Sequence, residues 1–506
     1  MCAVKASIEG LQIVDKARKR KGWIKLAPVW CDQAKVSETT LKRFWRRVPI
    51  RDKTFTRICQ AVRVNWEEVV DLGDGAIAFP RIDWEDSIDV SAFYGRTKEL
   101  DTLKQWIVKD GCRLVALLGM GGIGKTALAT KLGEQSKGEF EYLIQRSLRH
   151  APPLKELLAD LIEFLSEEQE NDGNALRLIE YLRQYKCLIV LDDWEALMSS
   201  EDLATKYREG YEDYGELLER IGENSHKSCL LLLSREKPLD IEPSEGEPVR
   251  LKKLKGLQRE EAQKILHLKG LYGSKNELEE LIRRYKGNPF ALKTVSKTIR
   301  VVFQGDILYF LNATTVFLPD VVVNLLNEQF EKLSSLERDI IYWLAVMRNS
   351  ASFMQLKEDF MQPVSTNKLI SALESLIENH FLVDSITEEE IVFYTLEPVI
   401  MKYITVQFVE RICEEIFEVV ETQDIENFDL FRSHALILRH NQNTSATNEQ
   451  LRLIIKPIKE KLCSEFWSKS KTEEKLQEIS SLLQGSELEE GYIYKNTIEL
   501  ISSLRN

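Results

Sequence analysis

The stretch LLGMGGIGKTAL, residues 117–128, places three glycines and one lysine within six consecutive positions, directly before a threonine. The apolar run RLVALL precedes the glycines and TALATKL follows the lysine, which predicts a buried strand, a tight loop and a helix in that order. Glycine has no Cβ, so the backbone N–H groups of such a loop can approach phosphate oxygens, and the start of the helix adds the positive end of its dipole. The stretch therefore predicts a phosphate-binding loop.

The loop fits the pattern G-x-x-x-x-G-K-[ST] at Gly119, Gly124, Lys125 and Thr126. We expect the lysine to reach the β- and γ-phosphates of a nucleotide and the threonine hydroxyl to bind Mg²⁺. The rest of the loop and the first turn of the helix are expected to contact phosphates through their backbone at Gly121, Gly122, Ile123 and Ala127. The predicted cofactors are ATP or ADP with Mg²⁺, and a purely structural glycine-rich turn is the alternative.

A second motif, CLIVLDDWE at residues 187–195, is an apolar strand that ends in two aspartates. A carboxylate at this end of a strand beside the phosphate-binding loop can hold the water shell of a metal ion, which is the role expected for Asp192. Asp193, and less readily Glu195, could orient the attacking water. The alternative is that these carboxylates only cap the helix that follows.

A third run, CLLLLSR at residues 229–235, ends in a serine and an arginine. If it forms another strand of the same sheet, the guanidinium of Arg235 would lie near the γ-phosphate. A solvated strand end is the alternative.

Short, continuously apolar runs alternate with helical stretches between residues 93 and 255, and this pattern is typical of a parallel sheet with helices on both faces. The sequence therefore predicts an α/β P-loop NTPase domain. Its strands are expected within residues 112–119, 142–148, 187–193, 229–235 and 248–254. Later stretches predict a small helical domain at 256–330, a winged-helix domain at 331–405 with a hairpin at 381–396, and a helical extension at 406–506.

The first 75 residues carry 16 Lys and Arg against 9 Asp and Glu, so the rest must hold a net −19 for the chain to reach −12. Residues 76–92 read as a linker, because the stretch 72–90 has two glycines, a proline and five acids. The basic segment resembles an all-α helix-turn-helix domain of the Cro/repressor type, with Ser37 as N-cap of the second helix. Lys35 stands where that motif usually has glycine, so it must be left-handed or the turn must differ.

The second helix of this motif is predicted to carry the cationic side chains of residues 42, 43, 46 and 47. Such charges suit phosphate contacts, but the helix has few Asn or Gln side chains to read base edges. DNA and a protein surface both remain open as its partner. The candidate nucleic-acid contacts are Thr40, Arg43, Arg46 and Arg47.

Hydrophobic residues make up 43% and charged residues 30% of the chain, as in ordinary globular proteins. No apolar run reaches the ~18 residues that a membrane span needs, and the N-terminus does not read as a signal peptide. The eight cysteines are scattered, without metal-binding spacing or a disulfide framework. We therefore predict a cytoplasmic protein that does not enter a membrane.

The combined motifs resemble the NB-ARC family of STAND-class signalling ATPases. They are FYGR at 93–96, GMGGIGKT at 119–126, LIVLDD at 188–193, LLLLSREKP at 230–238 and GNPFAL at 287–292. This resemblance implies a slow ATPase that serves as a switch, closed with ADP and open and self-associating with ATP. It also implies that Tyr94 and Arg96 flank the adenine and ribose, that Arg235 senses the γ-phosphate, and that Pro289 packs on the nucleotide. For Pro289, a simple helix start is the alternative.

One segment departs from this family. Where many members have Met-His-Asp in the winged helix, this chain has TLEPVI, with Glu397 and Pro398 at the His and Asp positions. The closed state would then be held by other contacts or be looser. Two functions remain open: a nucleotide switch with the basic head as output module, or a DNA-binding transcription regulator controlled by the ATPase core.

The sequence ends about a hundred residues after the predicted winged helix, so we expect it to lack the repeat array that usually follows in this family, or to be the front part of a longer ancestor. The last 100 or so residues predict amphipathic helices with apolar residues three and four apart, including Leu476, Ile479, Leu482 and Leu483. We expect a protein partner to dock on this stripe in place of a built-in repeat sensor. The alternative is that the stripe packs on the winged helix.

Overall fold

The computed structural model describes residues 3–71, 80–84, 89–91, 93–199, 206–238, 240–241, 248–360, 363–388, 390–438, 444–483 and 492–505. The chain divides into two compact units, Met1–Pro80 and Arg81–Asn506. Of the predicted linker, residues 76–79, 85–88 and 92 lie outside the described part of the chain.

The first unit is a small helical domain closed by one short pair of strands. Its helices are α1 (Ile8–Arg20), α2 (Pro28–Ala34), α3 (Glu38–Trp45) and α4 (Asp52–Ala61), followed by the 3-10 turn Trp66–Glu68. The strands β1 (Ala3–Val4) and β2 (Ile50–Arg51) pair antiparallel. The apolar faces of the helices meet in one core, whose fully buried members include Trp30, Leu41, Phe44 and Phe55. Their spacing places the apolar residues on one face of each helix, which explains why the helices pack around a single core.

The turn between α2 and α3 follows the sequence prediction. Lys35 takes the left-handed conformation, with φ 49°, although it is not glycine. The Ser37 side chain caps α3 by accepting from the backbone N–H of Thr40. Glu38 and Lys42 form an i,i+4 ion pair on the exposed side of the helix.

The prediction that α3 carries Arg46 and Arg47 is wrong. The helix ends at Trp45, because Arg46 is its C-cap and Arg47 is left-handed with φ 57°. The Arg47 guanidinium donates to the Ala6 carbonyl at 2.9 Å and pairs with Asp71, so this side chain ties the two ends of the unit together.

The second unit begins with a six-stranded parallel sheet. Its strands are β3 (Arg81–Trp84), β4 (Leu114–Leu118), β5 (Tyr142–Ser147), β6 (Cys187–Asp192), β7 (Cys229–Ser234) and β8 (Val249–Lys253), in the order β3-β5-β6-β7-β4-β8. The predicted α/β fold is confirmed, with five strands where the apolar runs placed them. These runs are continuously apolar because both faces of the sheet are covered.

Helices cover the two faces of the sheet. They are α5 (Thr97–Lys104), α6 (Lys125–Ser136), α7 (Leu154–Leu165), α8 (Ala175–Gln184) and α9 (Asp213–Glu223). Alternate residues of β4 enter different cores: Ala116 packs with α7, α8 and α9, whereas Val115 and Leu117 pack with α5 and α6. A π-helical turn, Gln105–Lys109, continues α5, and the 3-10 turns are Lys137–Glu139 and Trp194–Leu197.

The strand β3 lies within the segment predicted as a linker, and that prediction is wrong for these residues. β3 pairs parallel with β5 at the edge of the sheet. Its Asp83 forms an ion pair of 2.7 Å with Arg146 of β5, and its Trp84 packs on α6 at Gly133. Four residues with two charged side chains do not produce the apolar run that revealed the other strands.

Helices predominate after the sheet. The first group is α10 (Arg259–Leu268), α11 (Lys275–Arg284), α12 (Pro289–Val302), α13 (Ile307–Ala313) and α14 (Asp320–Phe330). The second group is α15 (Ser335–Met347), α16 (Phe353–Asp359) and α17 (Thr366–Glu374), with the π turn Ser375–Asn379. A three-stranded sheet ordered β10-β11-β9 accompanies them, made of β9 (Ala351–Ser352), β10 (Val383–Glu388) and β11 (Ile391–Leu396).

The last helices share one apolar core with these two groups. They are α18 (Pro398–Thr422), α19 (Leu430–Ser433), α20 (Thr444–Gln450), α21 (Lys456–Glu465), α22 (Lys469–Leu483) and α23 (Ile493–Arg505), with short turns at Ile425–Asn427 and Leu451–Ile455. Leu476, Ile479 and Leu483 are fully buried in this core. These three residues of the stripe are therefore covered from within the chain, so the prediction that a partner docks on them is wrong, whereas Leu482 is half-buried. Within the described residues, no helix is long and apolar enough to cross a membrane.

The contact between β3 and α6 generates a prediction. A Cβ built at Gly133 would lie 2.2 Å from Cζ2 of Trp84, whereas one built at Gly138 meets nothing within 4 Å. We expect Gly133→Ala to destabilise the protein by about 1–2 kcal/mol, since overpacking outweighs the gain in helix propensity. Thermal unfolding checks this, with Gly138→Ala as the matched control. Equal melting temperatures for both variants would contradict the packing of β3 on α6.

Candidate functional site

A cavity of about 400 Å³ lies at the carboxyl ends of the sheet strands, where ligands bind in open α/β folds. Apart from Gly119, every residue predicted for the nucleotide site lines it. The parallel topology explains this, because β4, β6 and β7 are neighbours and end at the same edge. The three motifs, far apart in sequence, therefore meet in one place.

The glycine loop connects β4 to α6 and packs against α12. Gly122 has φ 73°, a conformation that favours glycine, and a Cβ built there would lie 2.7 Å from Cβ of Phe290. Gly119 has φ 151°, and its Cβ would lie 2.8 Å from the Leu254 carbonyl oxygen. Side chains at these positions would collide with neighbouring atoms, so the packing around the loop requires glycine.

Lys125 is buried at the start of α6. Its Nζ donates to the carbonyls of Gly119, at 2.6 Å, and Met120, at 3.3 Å. Burial lowers the pKa of this lysine, because it disfavours the charged form, while Glu195 and Asp192 oppose that effect. A phosphate group beside the ammonium would offset the desolvation of its charge.

Thr126 and Asp192 form the second part of the site. The threonine hydroxyl donates to Oδ2 of Asp192 at 2.6 Å. Burial raises the pKa of Asp192, and the hydrogen bond from Thr126 only partly offsets this. A hydroxyl and a desolvated carboxylate are oxygen donors of the kind that Mg²⁺ binds together with phosphate oxygens, so these residues fit the predicted metal.

Asp193 lies next to this pair with a left-handed backbone, φ 59°. Its Oδ2 accepts from the hydroxyl of Ser147 at 2.9 Å and lies 3.6 Å from Nε of Arg149. Both neighbours come from the end of β5, and Arg149 was not predicted as a site residue. An unusual backbone conformation supported by side-chain contacts is common at functional sites.

Arg235 extends from the end of β7 towards the glycine loop. Its Nε lies 3.0 Å from Oε1 of Glu195, and its Nη1 donates to Glu328 of α14 at 2.8 Å. Burial alone would lower the pKa of Arg235, but these two carboxylates raise it overall. The sequence placed Arg235 correctly at this edge but did not reveal Glu328.

The remaining wall of the cavity is largely apolar. It includes Tyr94, as the family resemblance implied, together with residues that were not predicted: Val90, Phe93, Leu257, Ile265, Phe290 and Lys293. Arg96 also lines it, but its guanidinium donates to the Ile123 carbonyl at 3.1 Å and pairs with Glu99. Arg96 therefore braces the loop, and its backbone N–H donates to Glu261.

Pro289 is the first residue of α12 and also lies beside the glycine loop, 3.8 Å from a Cβ built at Gly124. The preceding residue, Asn288, caps the helix and donates to the Gly121 carbonyl at 3.2 Å. The backbone N–H of Phe290 donates to the Gly122 carbonyl. The start of α12 is thus hydrogen-bonded to the glycine loop.

The segment that departs from the family pattern lies nearby. Glu397 is 3.1 Å from Nζ of Lys286, which also pairs with Asp384 of β10. Burial raises the pKa of Glu397, and Lys286 opposes this effect. The carboxylate is therefore engaged with a lysine at the end of α11.

Comparisons with known proteins agree with this geometry. Residues 96–208 match the NB-ARC domain model. An uncharacterised WD repeat-containing protein of Nostoc sp. is 35% identical over 579 aligned positions, which cover 99% of this chain and 46% of that protein. A probable disease resistance protein of Arabidopsis thaliana is 27% identical over 115 positions, 21% of this chain and 16% of that protein. The chain thus spans less than half the length of these relatives.

Two solved structures are similar at low sequence identity. The Walker-type ATPase of Pyrococcus abyssi is 16% identical with a TM-score of 0.46, covering 64% of this chain and 98% of that one. A STAND protein with a tetratricopeptide repeat sensor from Pyrococcus horikoshii is 18% identical with a TM-score of 0.31, covering 83% and 60%.

The match to the family model is confined to residues 96–208. This stretch includes the glycine loop, the lysine–threonine pair and the two aspartates after β6. Residues 96–208 therefore form an NB-ARC domain within an α/β P-loop NTPase fold.

Proposed function

We propose that this protein is a nucleotide-dependent switch, which binds ADP or ATP with Mg²⁺, hydrolyses ATP slowly and self-associates in the ATP state. The observation that carries the proposal is the junction of Lys125, Thr126 and Asp192 at the edge of the sheet, with α12 hydrogen-bonded to the same glycine loop. A nucleotide bound there would contact two groups of elements at once. The number of phosphates could therefore be coupled to the relative position of these two groups, the sheet with its glycine loop and the helices that include α12.

Different side chains of the cavity are proposed to bind the phosphates, to hold the metal and to orient the attacking water. Bound Mg²⁺ supplies charge neutralisation at the phosphates. Lys125 would bind the terminal phosphates, and Thr126 and Asp192 would hold the metal and its water. Asp193, fixed by Ser147, would orient the attacking water, because this carboxylate lies beside the pair and is contacted by a hydroxyl and an exposed arginine. Glu195 suits that role less, since Arg235 already occupies it.

The domain organisation supports a switch. We interpret residues 93–255 as the nucleotide-binding domain, 256–330 as the small helical domain, 331–405 as a winged helix and 406–506 as its helical extension. Helices α15, α16 and α17 with the sheet β10-β11-β9 support the winged-helix interpretation. One buried core contains residues from Leu257 to Leu504, which supports a movement of these helices as one body when the nucleotide changes.

The role of Asp193 can be tested with Asp193→Asn. Asparagine tolerates the left-handed backbone, so this variant removes the charge without straining the chain. We expect ATP binding within about twofold of wild type and hydrolysis slowed by about tenfold or more, because the residue orients water and not phosphate. Calorimetric affinities and phosphate release measure the two effects.

The matched control is Asp101→Asn, at an exposed position of α5, which should change neither quantity. Light scattering with excess ATP should show a larger assembly for Asp193→Asn than for the ADP form. Equal losses of binding and hydrolysis would place the water-orienting role elsewhere.

A second candidate function is transcription regulation through DNA binding by residues 1–75. It is favoured by the turn at Lys35 and by the exposed side chains of Lys42, Arg43 and Arg46 at the end of α3. The Thr40 hydroxyl lies 2.9 Å from that of Ser37, and Arg47 is paired with Asp71. Arg43 donates to the Pro49 carbonyl at 2.9 Å but stays exposed, as does Arg46. Arg43 and Arg46 are therefore the side chains proposed to contact phosphates, or an acidic protein surface in the alternative.

We expect the full chain to bind duplex DNA at low salt if this second function holds. The double variant Arg43→Glu with Arg46→Glu should then abolish binding, because it removes two phosphate contacts and adds two negative charges. Each phosphate contact contributes about 0.9 to the slope of log affinity against log salt, so the slope measures the contacts that are lost. Lys16→Glu with Arg20→Glu, two exposed positions on α1, is the control of equal charge change. No DNA binding at low salt, or equal losses for both pairs, would leave a protein partner for this unit.

A further inference from the structure

Helix α14 contacts the edge of the nucleotide cavity through its carboxyl-terminal turn. We infer that Glu328 of this helix sets the preference of the site for ADP over ATP, by holding the Arg235 guanidinium that a third phosphate requires. The inference rests on the proposed nucleotide-binding function and names the residue that discriminates between the two nucleotides.

Arg235 lies between two carboxylates that differ in exposure. The Glu195 side chain is 10% exposed, whereas that of Glu328 is 64% exposed. Glu195 also accepts from the backbone N–H of Arg235, at 3.0 Å, and lies 3.3 Å from the Ser234 hydroxyl. Glu195 is therefore held at the end of β7 by hydrogen bonds, and Glu328 is the carboxylate that can leave.

The guanidinium is close enough to the glycine loop to meet a terminal phosphate. A Cβ built at Gly121 would lie 3.7 Å from Cζ of Arg235 and 3.5 Å from Cδ2 of Leu325. Gly121 and Arg235 line the same cavity as Lys125. The side of the loop that faces Arg235 is thus the side that α14 approaches.

A third phosphate and Glu328 compete for the Arg235 guanidinium, because both are negatively charged. With Glu195 and Glu328 in place, two negative charges surround one positive charge, and Asp192 and Asp193 lie at the same edge of the sheet. The two carboxylates therefore compensate the charge of Arg235, so a terminal phosphate would gain little attraction from this guanidinium beyond that of Lys125 and bound Mg²⁺. Once Glu328 leaves, Arg235 can offer its free edge to the phosphate in a charge-assisted contact. ADP lacks this phosphate and does not require the exchange.

Other contacts hold α14 against the cavity. They would transmit the displacement of Glu328 from Arg235 to neighbouring elements. Lys332, just after the helix, donates to Oε1 of Glu236 at 2.9 Å and to the Glu195 carbonyl at 2.8 Å. Asn327, next to Glu328, accepts from the hydroxyl of Tyr403 on α18 at 2.5 Å. Displacement of Glu328 would therefore reach both the nucleotide-binding domain and the helices that follow it.

The test is the ratio of ADP to ATP affinity of the full chain, measured by calorimetry with ADP and a non-hydrolysable ATP analogue in Mg²⁺. Glu328→Gln should tighten binding of the ATP analogue by about two- to fivefold, the range of an exposed ion pair, and leave ADP binding unchanged. Glu331→Gln is the matched control, because it removes the same charge from an exposed position at the end of α14. It should leave the ratio at the wild-type value.

A double-mutant cycle separates a local effect from a general change of charge. In an Arg235→Gln background, Glu328→Gln should no longer alter the ratio. An unchanged ratio in the single variant, or a shift that persists without Arg235, would overturn the inference while leaving nucleotide binding intact. A wild-type protein that binds neither nucleotide would overturn the proposed function as well.

Discussion

Two desolvated charges of opposite sign, on Lys125 and Asp192, are the constraint on which the site depends. Burial lowers the pKa of the lysine and raises that of the aspartate, so the protein alone disfavours both charges. A phosphate chain beside the lysine and a divalent cation on the aspartate would offset both penalties together. The parallel sheet enforces this arrangement, because β4 and β6 end at the same edge and the backbone of the glycine loop leaves no room for side chains.

Polar contacts also connect the phosphate-binding residues to the helices that follow the sheet. Arg235, at the end of β7, shares its charge between Glu195 of its own domain and Glu328 of α14. Asn288, at the start of α12, is hydrogen-bonded to the glycine loop itself. Two helical elements thus contact the site through polar groups that a bound nucleotide can satisfy or displace. At the position where the family resemblance would place a histidine, this chain has Glu397, which is engaged by Lys286.

The sequence predicted the sheet and the cavity residues well where physical chemistry leaves few choices. Strands covered on both faces must be apolar throughout, and a phosphate-binding loop must contain glycine at particular positions. The sequence did not predict β3, because this edge strand has only four residues, two of them charged. It also placed Arg47 on α3, whereas Arg47 lies beyond the end of the helix and pairs with Asp71. Glu328 could not be found because it lies 93 residues from Arg235 on a helix whose polar positions look like a solvated surface. The buried stripe of α22 was misjudged for the same reason, since only the folded chain shows what covers it.

The most direct measurement of the central claim is the nucleotide that remains bound when the full chain is purified. Denaturation followed by chromatography should release about one equivalent of ADP from the wild-type protein, because the Arg235–Glu328 contact disfavours a third phosphate. Lys125→Ala should retain none, whereas Lys131→Ala, at a half-buried lysine that pairs with Glu134 on the same helix, should retain as much as wild type. Wild-type protein without nucleotide, or Lys125→Ala protein with a full equivalent, would contradict the account.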